Sequence, residues 1–404
     1  MSFPKQQPDF IWLMDGRFDI LRGFFSLVTE KRGRPWDGYR ELGCLRSLGI
    51  GLPLLRQITP EAINRRFMAL WDENPRPDWV EPVFVVPFSA AGLSERPGLK
   101  LFCANPALVD QLDDKLNQYR LMANDHLPLP PHLLFSSLRE VHAGLSDFLV
   151  RHGSAFVQPN RSAGGELARR VDQGERWVPP PGSQNGGFVV TRFYHNVISL
   201  SGHGMVTRSG RVGFITAVEL LLDGFRFDGF IWPLMQDADV AIKIRRLTLQ
   251  VGEILACRGY WGWFAADFIR TTDGKLLLHE INPRFAGESG LLSRWMGGNP
   301  FDLMNDHLPI ERVAATPPEK RLVVTKIRPQ TGSCLIPPRV QHPLESFLSG
   351  KHDAFRQFFF SEPFVVGEAH FVGLAGKFFG YKVPRDALLT FYSKERKPYD
   401  AMNT

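Results

Sequence analysis

Apolar positions along the chain come in two rhythms, short β-rich runs and longer helical stretches, and the change from one to the other marks out the units. Phe10–Met14, Val83–Phe88 and Leu101–Cys103 read as strands of a parallel α/β layer reaching about Asp125. Within it, Thr59-Pro60-Glu61 predicts a helix start, with a cap residue followed by proline at the first position. Asn105-Pro106 predicts a second start, with one helix running to about Asn124. Leu127-Pro-Leu-Pro-Pro131 cannot continue a helix and closes this layer.

An amphipathic stretch, Leu138–Val150, opens the next unit. From Ala155 to about Met205, β-rich runs alternate with the Gly- and Pro-rich loops Asn160–Glu166 and Pro179–Gly187, a pattern expected of a small α+β lid. From about Gly210 the pattern gives a strand, a helix over Asp237–Arg258, a hairpin and a long tail. The expected organisation is α/β in three units: 1–125 as an N-terminal α/β layer, 126–209 as the lid, and 210–404 as a larger α+β unit with a C-terminal extension.

The hairpin carries the chemistry. Within the run Gly259–Arg284, Asp273-Gly274 has the residues of a two-residue turn between β-rich flanks. If Thr272 faces Lys275, stepping back five pairs places Asp267 opposite Glu280, with Asn282 on the same face and Phe268 and Ile281 on the other. His279 would then turn away from the acids. Two carboxylates opposed across a strand pair sit ~5 Å apart at Cβ, and at an effective dielectric of 20 they repel by roughly 3 kcal/mol. A positive group is needed between them. Oxygen donors without clustered His or Cys favour a hard cation, and Mg²⁺ takes one or two carboxylates and completes its shell with water and phosphate. An acidic face that looks only at solvent is the plainer alternative; Asn282-Pro283-Arg284 argues against it, because proline ends the strand and holds Arg284 beside the acids.

Composition narrows the class without deciding it. Among 404 residues, 44% are hydrophobic and 22% charged, enough apolar material for two or three packed domains rather than a disordered chain. Lys and Arg number 48 against 42 Asp and Glu, and the excess of +6 is scattered rather than gathered in a stripe, which argues against nucleic-acid binding. Cys44, Cys103, Cys257 and Cys334 are too far apart for a zinc or disulfide framework. The first twenty residues are interrupted by Asp9, Asp15, Arg17 and Asp19, so neither a signal peptide nor a membrane segment is expected, and a cytoplasmic setting is the default reading. Gly49-x-Gly51 lacks the third glycine of a dinucleotide fingerprint, Leu54 standing in its place, and Ser201-Gly-His-Gly204 lacks the frame of a nucleophile elbow. Trp261 and Trp263 read as core or pocket wall.

Taken in order, three blocks resemble the ATP-grasp superfamily, the fold of D-alanine–D-alanine ligase and biotin carboxylase. The run Gly259-Tyr-Trp-Gly262, Asp267-Phe268 and Glu280-Ile-Asn-Pro-Arg284 is similar to its metal-binding block. Asp114-Lys115-Leu116-Asn117 with Leu127–Pro131 is similar to its Asp-Lys…Pro-x-Pro segment, and Phe156–Glu166 to its lid strand and glycine loop. The resemblance implies an ATP-grasp fold and an ATP-dependent carboxylate–amine ligase, with Asp267, Glu280 and Asn282 holding Mg²⁺ or Mn²⁺ and Arg284 steadying the transferred phosphate and substrate. It further implies nucleotide contacts from Lys115, Gln158, Arg161, Ser162, Gly164, Gly165, Arg192, Phe193 and Tyr194. Two departures stand out. Gln158 replaces the usual lid lysine, with Arg161 as the alternative cation, and no acid stands near Thr191, which leaves the ribose-holding residue open. The expected partners are a small-molecule carboxylate and amine, not nucleic acid or membrane; homodimerisation stays open. A nucleotide-binding regulatory protein without turnover is the alternative reading.

Overall fold

A computed structural model describes residues 10–13, 83–87 and 90–317 with short breaks at 163–164, 166, 180–185, 235, 287 and 299. It also describes parts of 64–72 and the strands 321–325, 364–366 and 369–372. The helix start at Thr59, Gly49-x-Gly51, Cys44, Cys334 and Gly164 lie outside the described residues.

The first layer is a parallel sheet in the order β1 (Phe10–Leu13), β2 (Val83–Pro87), β3 (Leu99–Leu101), with strands within two residues of those expected. The helix expected from Asn105 to Asn124 is in fact two. Asn105 caps α1 (Pro106–Leu112), Asp113 ends it, and the Asp114 side chain caps α2 (Lys115–Asn124) by accepting from the Asn117 N–H at 2.9 Å. Two adjacent aspartates compete for backbone donors, and one ends a helix where the other begins the next.

The lid is a four-stranded antiparallel sheet, ordered β4 (His132–Phe135), β7 (Phe188–Arg192), β5 (Ser154–Pro159), β6 (Arg169–Asp172). Helix α3 (Leu138–His152) crosses it. Ser137 accepts from the Glu140 N–H while Glu140 reaches back to the Ser136 N–H at 2.8 Å, so the helix start satisfies its own donors. The apolar face of α3, with Val141, Leu145, Phe148 and Leu149, packs on Ala155, Val157, Phe188 and Val190. Those strand residues therefore face the helix. Phe156 and Gln158, alternating with them, face the other way.

The third unit is an eight-stranded sheet in the order β12 (Leu276–Asn282), β11 (Gly262–Arg270), β8 (Ile198–Val206), β9 (Val212–Asp223), β10 (Arg226–Trp232), β13 (Arg321–Thr325), β15 (Ala369–Val372), β14 (Phe364–Val366). Strand β8 pairs along its whole length with β11, so residues 198–206, grouped with the lid by the sequence pattern, sit in this sheet. Helix α4 (Ala238–Cys257) lays Ile244, Leu247, Val251 and Leu255 across one face, forming a core with Leu200, Phe264, Phe268 and Leu278. The opposite face carries Asp267 and also Trp263 and Trp232, which pack against Phe285 and Trp295. No helix among the described residues is long and apolar enough to cross a membrane.

Candidate active site

The β11–β12 loop differs from the expected one. The Thr271 N–H bonds to Lys275 O and the Gly274 N–H to Thr271 O, both at 2.9 Å, with Gly274 at φ +80. This is a three-residue loop closed by a left-handed glycine, not a two-residue turn. Arg270 pairs with Leu276, Ile269 with Leu277 and Phe268 with Leu278, one residue off the expected register. A bulge at His279 then restores it, and Asp267 faces Glu280. Because His279 is the extra residue, it does not turn away from Glu280. Both reach one side of α2: His279 Nδ1 lies 3.3 Å from the Tyr119 hydroxyl and Glu280 pairs with Lys115, four residues apart on that helix.

Gln118 holds β12 in place. Its buried amide donates to Ile281 O at 2.6 Å and accepts from the Ile281 N–H at 3.0 Å, so the outer edge of the strand is paired by a side chain. Pro128 O takes the Leu278 N–H at 2.7 Å. The proline segment thereby covers a strand edge that would otherwise be open.

Around the acids the polar contacts are dense. Asp267 Oδ1 accepts from Ser201 Oγ at 2.7 Å and Oδ2 from Asn282 Nδ2 at 2.8 Å. Burial, then the Glu280 charge, push the Asp267 carboxyl up to about 7. Glu280 goes the other way: burial raises it, but the charge and hydrogen bond of Lys115, then Arg284, hold it below the usual carboxylate range. Arg284 pairs with Asp113, and both are largely covered. No group of three or more His, Cys, Asp or Glu that could hold a metal exists among the described residues, and the donors beside Asp267 are the Glu280 carboxylate and the Asn282 amide. That set fits a hard divalent cation: a buried carboxyl lifted by its neighbour is relieved by positive charge, and the Asn282 amide, donating through Nδ2, keeps Oδ1 as a ligand oxygen.

The lid closes over this region. Phe156 packs on the His279 ring at 5.4 Å and on Phe225 at 4.8 Å. On the same lid face Gln158 is 4% exposed, and its Nε2 has no partner among the described residues. A buried donor without an acceptor costs about 1–3 kcal/mol. Arg161 is engaged elsewhere, gripping Asp110 with two hydrogen bonds at 2.5 and 3.1 Å and lying 3.6 Å from Asp114. Ser162 Oγ donates to Pro159 O at 3.2 Å. Gly165, at φ +71, lies where a Cβ would be 1.9 Å from Phe225 O, so only glycine permits this approach. At the hinge end, the exposed Arg192 stacks over Tyr194 at 4.8 Å, and Phe193 lies under Arg170 at 5.1 Å.

The molecule thus combines a two-layer body, a four-stranded lid and an acid-bearing hairpin under that lid. No protein-family model and no curated protein sequence matches the chain. Solved structures do. Carboxyaminoimidazole ribonucleotide synthase from Aspergillus clavatus, complexed with ATP, aligns with a TM-score of 0.53 at 12% identity, over 78% of this chain and 80% of that one. A pyruvate carboxylase variant from Rhizobium etli aligns at 0.54 and 14% identity, over 74% of this chain and 28% of that one. The chain has the ATP-grasp fold. The biotin carboxylase domain of Hydrogenobacter thermophilus 2-oxoglutarate carboxylase aligns at 0.48 and 13% identity over 68% of this chain, which spans 66% of that domain's length.

Within this ATP-grasp fold, Asp267 bonds to Asn282, Glu280 pairs with Lys115, Arg284 pairs with Asp113, and Arg161 pairs with Asp110 near Asp114. Ser201, Asp113 and Gln118 carry no mark in the sequence; each earns its place only by a contact across the fold. Trp261 and Trp263 line a cavity, in keeping with a pocket wall.

Proposed function

We propose that the protein is an ATP- and Mg²⁺-dependent ligase that activates a small carboxylate as its acyl phosphate and joins it to an amine, releasing ADP and phosphate. What carries the reading is the placement of Asp267 opposite Glu280, with Asn282, Lys115 and Arg284 around them, in an ATP-grasp fold. Asp267, Glu280 and Asn282 would hold the metal, which when bound supplies charge neutralisation for phosphate oxygens. Lys115 and the Gln158 amide face the nucleotide, Lys115 as a charge and Gln158 as a neutral donor. The nucleotide contacts from Ser162, Gly164, Gly165, Arg192, Phe193 and Tyr194 belong to the same reading.

Chemically, a carboxylate oxygen of the substrate attacks the γ-phosphorus and the bond to ADP breaks; the amine nitrogen then attacks the acyl carbon and phosphate departs. The protein's part is positional and electrostatic. Arg284 draws the anionic reactants together, Lys115 balances Glu280 until a nucleotide arrives, and the lid, seated through Phe156 and Gly165, keeps water from the acyl phosphate. A cytoplasmic setting and small-molecule partners go with this reading.

The test is ADP release from MgATP across panels of carboxylates and amines. Release that needs both an acid and an amine, and that Glu280→Ala abolishes, is the expected result. A Glu280→Ala protein that turns over at the wild-type rate would remove the metal assignment.

A further inference from the structure

Strand β8 flanks Asp267 on the side away from Glu280, and its two faces are sharply divided. Leu200 and Val206 join the core under α4, and a Cβ on Gly202 would sit 2.0 Å from Thr248 Oγ1, so the even positions face that helix. Ser201 therefore faces the other way, directly opposite Asp267 in the ladder. It is 1% exposed, and its neighbour on β9 is Val218, which is fully buried and has no polar side-chain atom to offer. The Ser201 hydroxyl turns to Asp267 instead and donates to Oδ1 at 2.7 Å.

Two donors on two strands thus fix one carboxylate. Ser201 holds Oδ1 from β8, and Asn282 holds Oδ2 from β12 at 2.8 Å. The terminal torsion of an aspartate is broad, so a carboxylate held at both oxygens loses a freedom that one held at a single oxygen keeps. Each oxygen can accept a second interaction, which leaves the same carboxylate open to a cation. Asn282 is also read as a metal ligand. Ser201 has no such duty, and its one proton is committed to Asp267. Mg²⁺ demands near-octahedral geometry at short distances, whereas Ca²⁺ accepts irregular shells. A carboxylate fixed at both oxygens suits the first ion more than the second.

We infer that Ser201 is a positioning residue of the metal site: by holding Asp267 Oδ1 from β8 it sets the carboxylate for Mg²⁺ and gives the site a preference for Mg²⁺ over Ca²⁺. The inference rests on the reading of Asp267, Glu280 and Asn282 as the metal's ligands.

Calorimetric titration of ADP into the full chain, with Mg²⁺, with Ca²⁺ or with a chelator, tests this without turnover. Ser201→Ala should weaken MgADP binding by about tenfold, the low end for losing the hydrogen-bond partner of a metal ligand. CaADP binding should weaken by clearly less, and metal-free ADP binding should not change. Ser201→Cys nearly keeps the volume but offers only a weak donor, and should shift the ratio of Mg²⁺ to Ca²⁺ affinity in the same direction. Placed in Asp267→Asn, Ser201→Ala should add nothing, because its effect passes through that carboxylate. An equal loss with all three forms of ADP, or MgADP affinity unchanged in both Ser201 variants, overturns the inference. A wild type that binds ADP equally with and without a divalent ion removes the metal reading itself. If the wild type needs the ion and the Ser201 variants keep its preference for Mg²⁺, only the role of Ser201 falls.

Discussion

Glu280 faces Asp267 because His279 bulges out of the ladder between them and the turn. A three-residue loop had moved the strands one position out of step, and without the bulge His279 would oppose Asp267. Glu280 is balanced by Lys115, while the Asp267 carboxyl is lifted by burial and by Glu280, a charge arrangement that a divalent cation would relieve, which is the physical core of the account.

Replacing Asp267 by Asn removes one charge of this pair. The loss of a well-made acceptor, about 1–3 kcal/mol, is offset by relief of a repulsion of roughly 3 kcal/mol. Chemical denaturation in the absence of metal should place Asp267→Asn within about 1 kcal/mol of wild type, and the stabilisation that MgATP gives the wild type should vanish in this variant. A variant strongly destabilised without ligand would mean the carboxylates are not in conflict.

Lys115 and Glu280 form a largely buried ion pair. Removing either partner leaves the other charge uncompensated, so Lys115→Met and Glu280→Gln should each cost about 3 kcal/mol, and the double variant less than their sum by about 2 kcal/mol. A double-mutant cycle in urea measures this. Strict additivity would mean the two side chains do not interact in solution.

Gln118 satisfies both backbone groups of Ile281. Gln118→Leu leaves them unpaired in a dry interface, and a loss of about 2–3 kcal/mol is expected, with faster amide exchange at Ile281 than in the rest of β12. Unchanged exchange there would place the strand's anchor elsewhere.

His203 is fully buried, and burial pushes its pKa down to about 3 from 6.5. The unfolded chain binds the extra proton first, so the stability this neutral imidazole contributes is complete above pH 6.5 and is lost as pH falls towards 3. At pH 5 the loss is about 2 kcal/mol relative to pH 7. Urea unfolding of wild type and His203→Gln at the two pH values should differ by that amount; parallel pH dependence would show that His203 is protonated in the fold.

Much of this was legible in the sequence, and what was not has definite causes. The opposition of Asp267 and Glu280 was expected from strand periodicity and a two-residue Asp-Gly turn, but it is produced by a longer turn and a compensating bulge, an irregularity that alternation cannot encode. The helix break at Asp113-Asp114 could have been read from two adjacent cap-forming residues; the apolar pattern on either side masks it. The ion pairs of Arg161 with Asp110 and of Arg284 with Asp113 join residues 51 and 171 positions apart, and only the fold brings them together. Gln158 was visible as a departure from the lysine of the resemblance. Its unpartnered amide was not.

Calorimetric titration of MgATP into the full chain and into Asp267→Asn tests the central claim most directly. The wild type should bind nucleotide only with a divalent ion present, and the variant should lose about tenfold or more in affinity. Equal binding by the two proteins, or binding indifferent to the divalent ion, would contradict it.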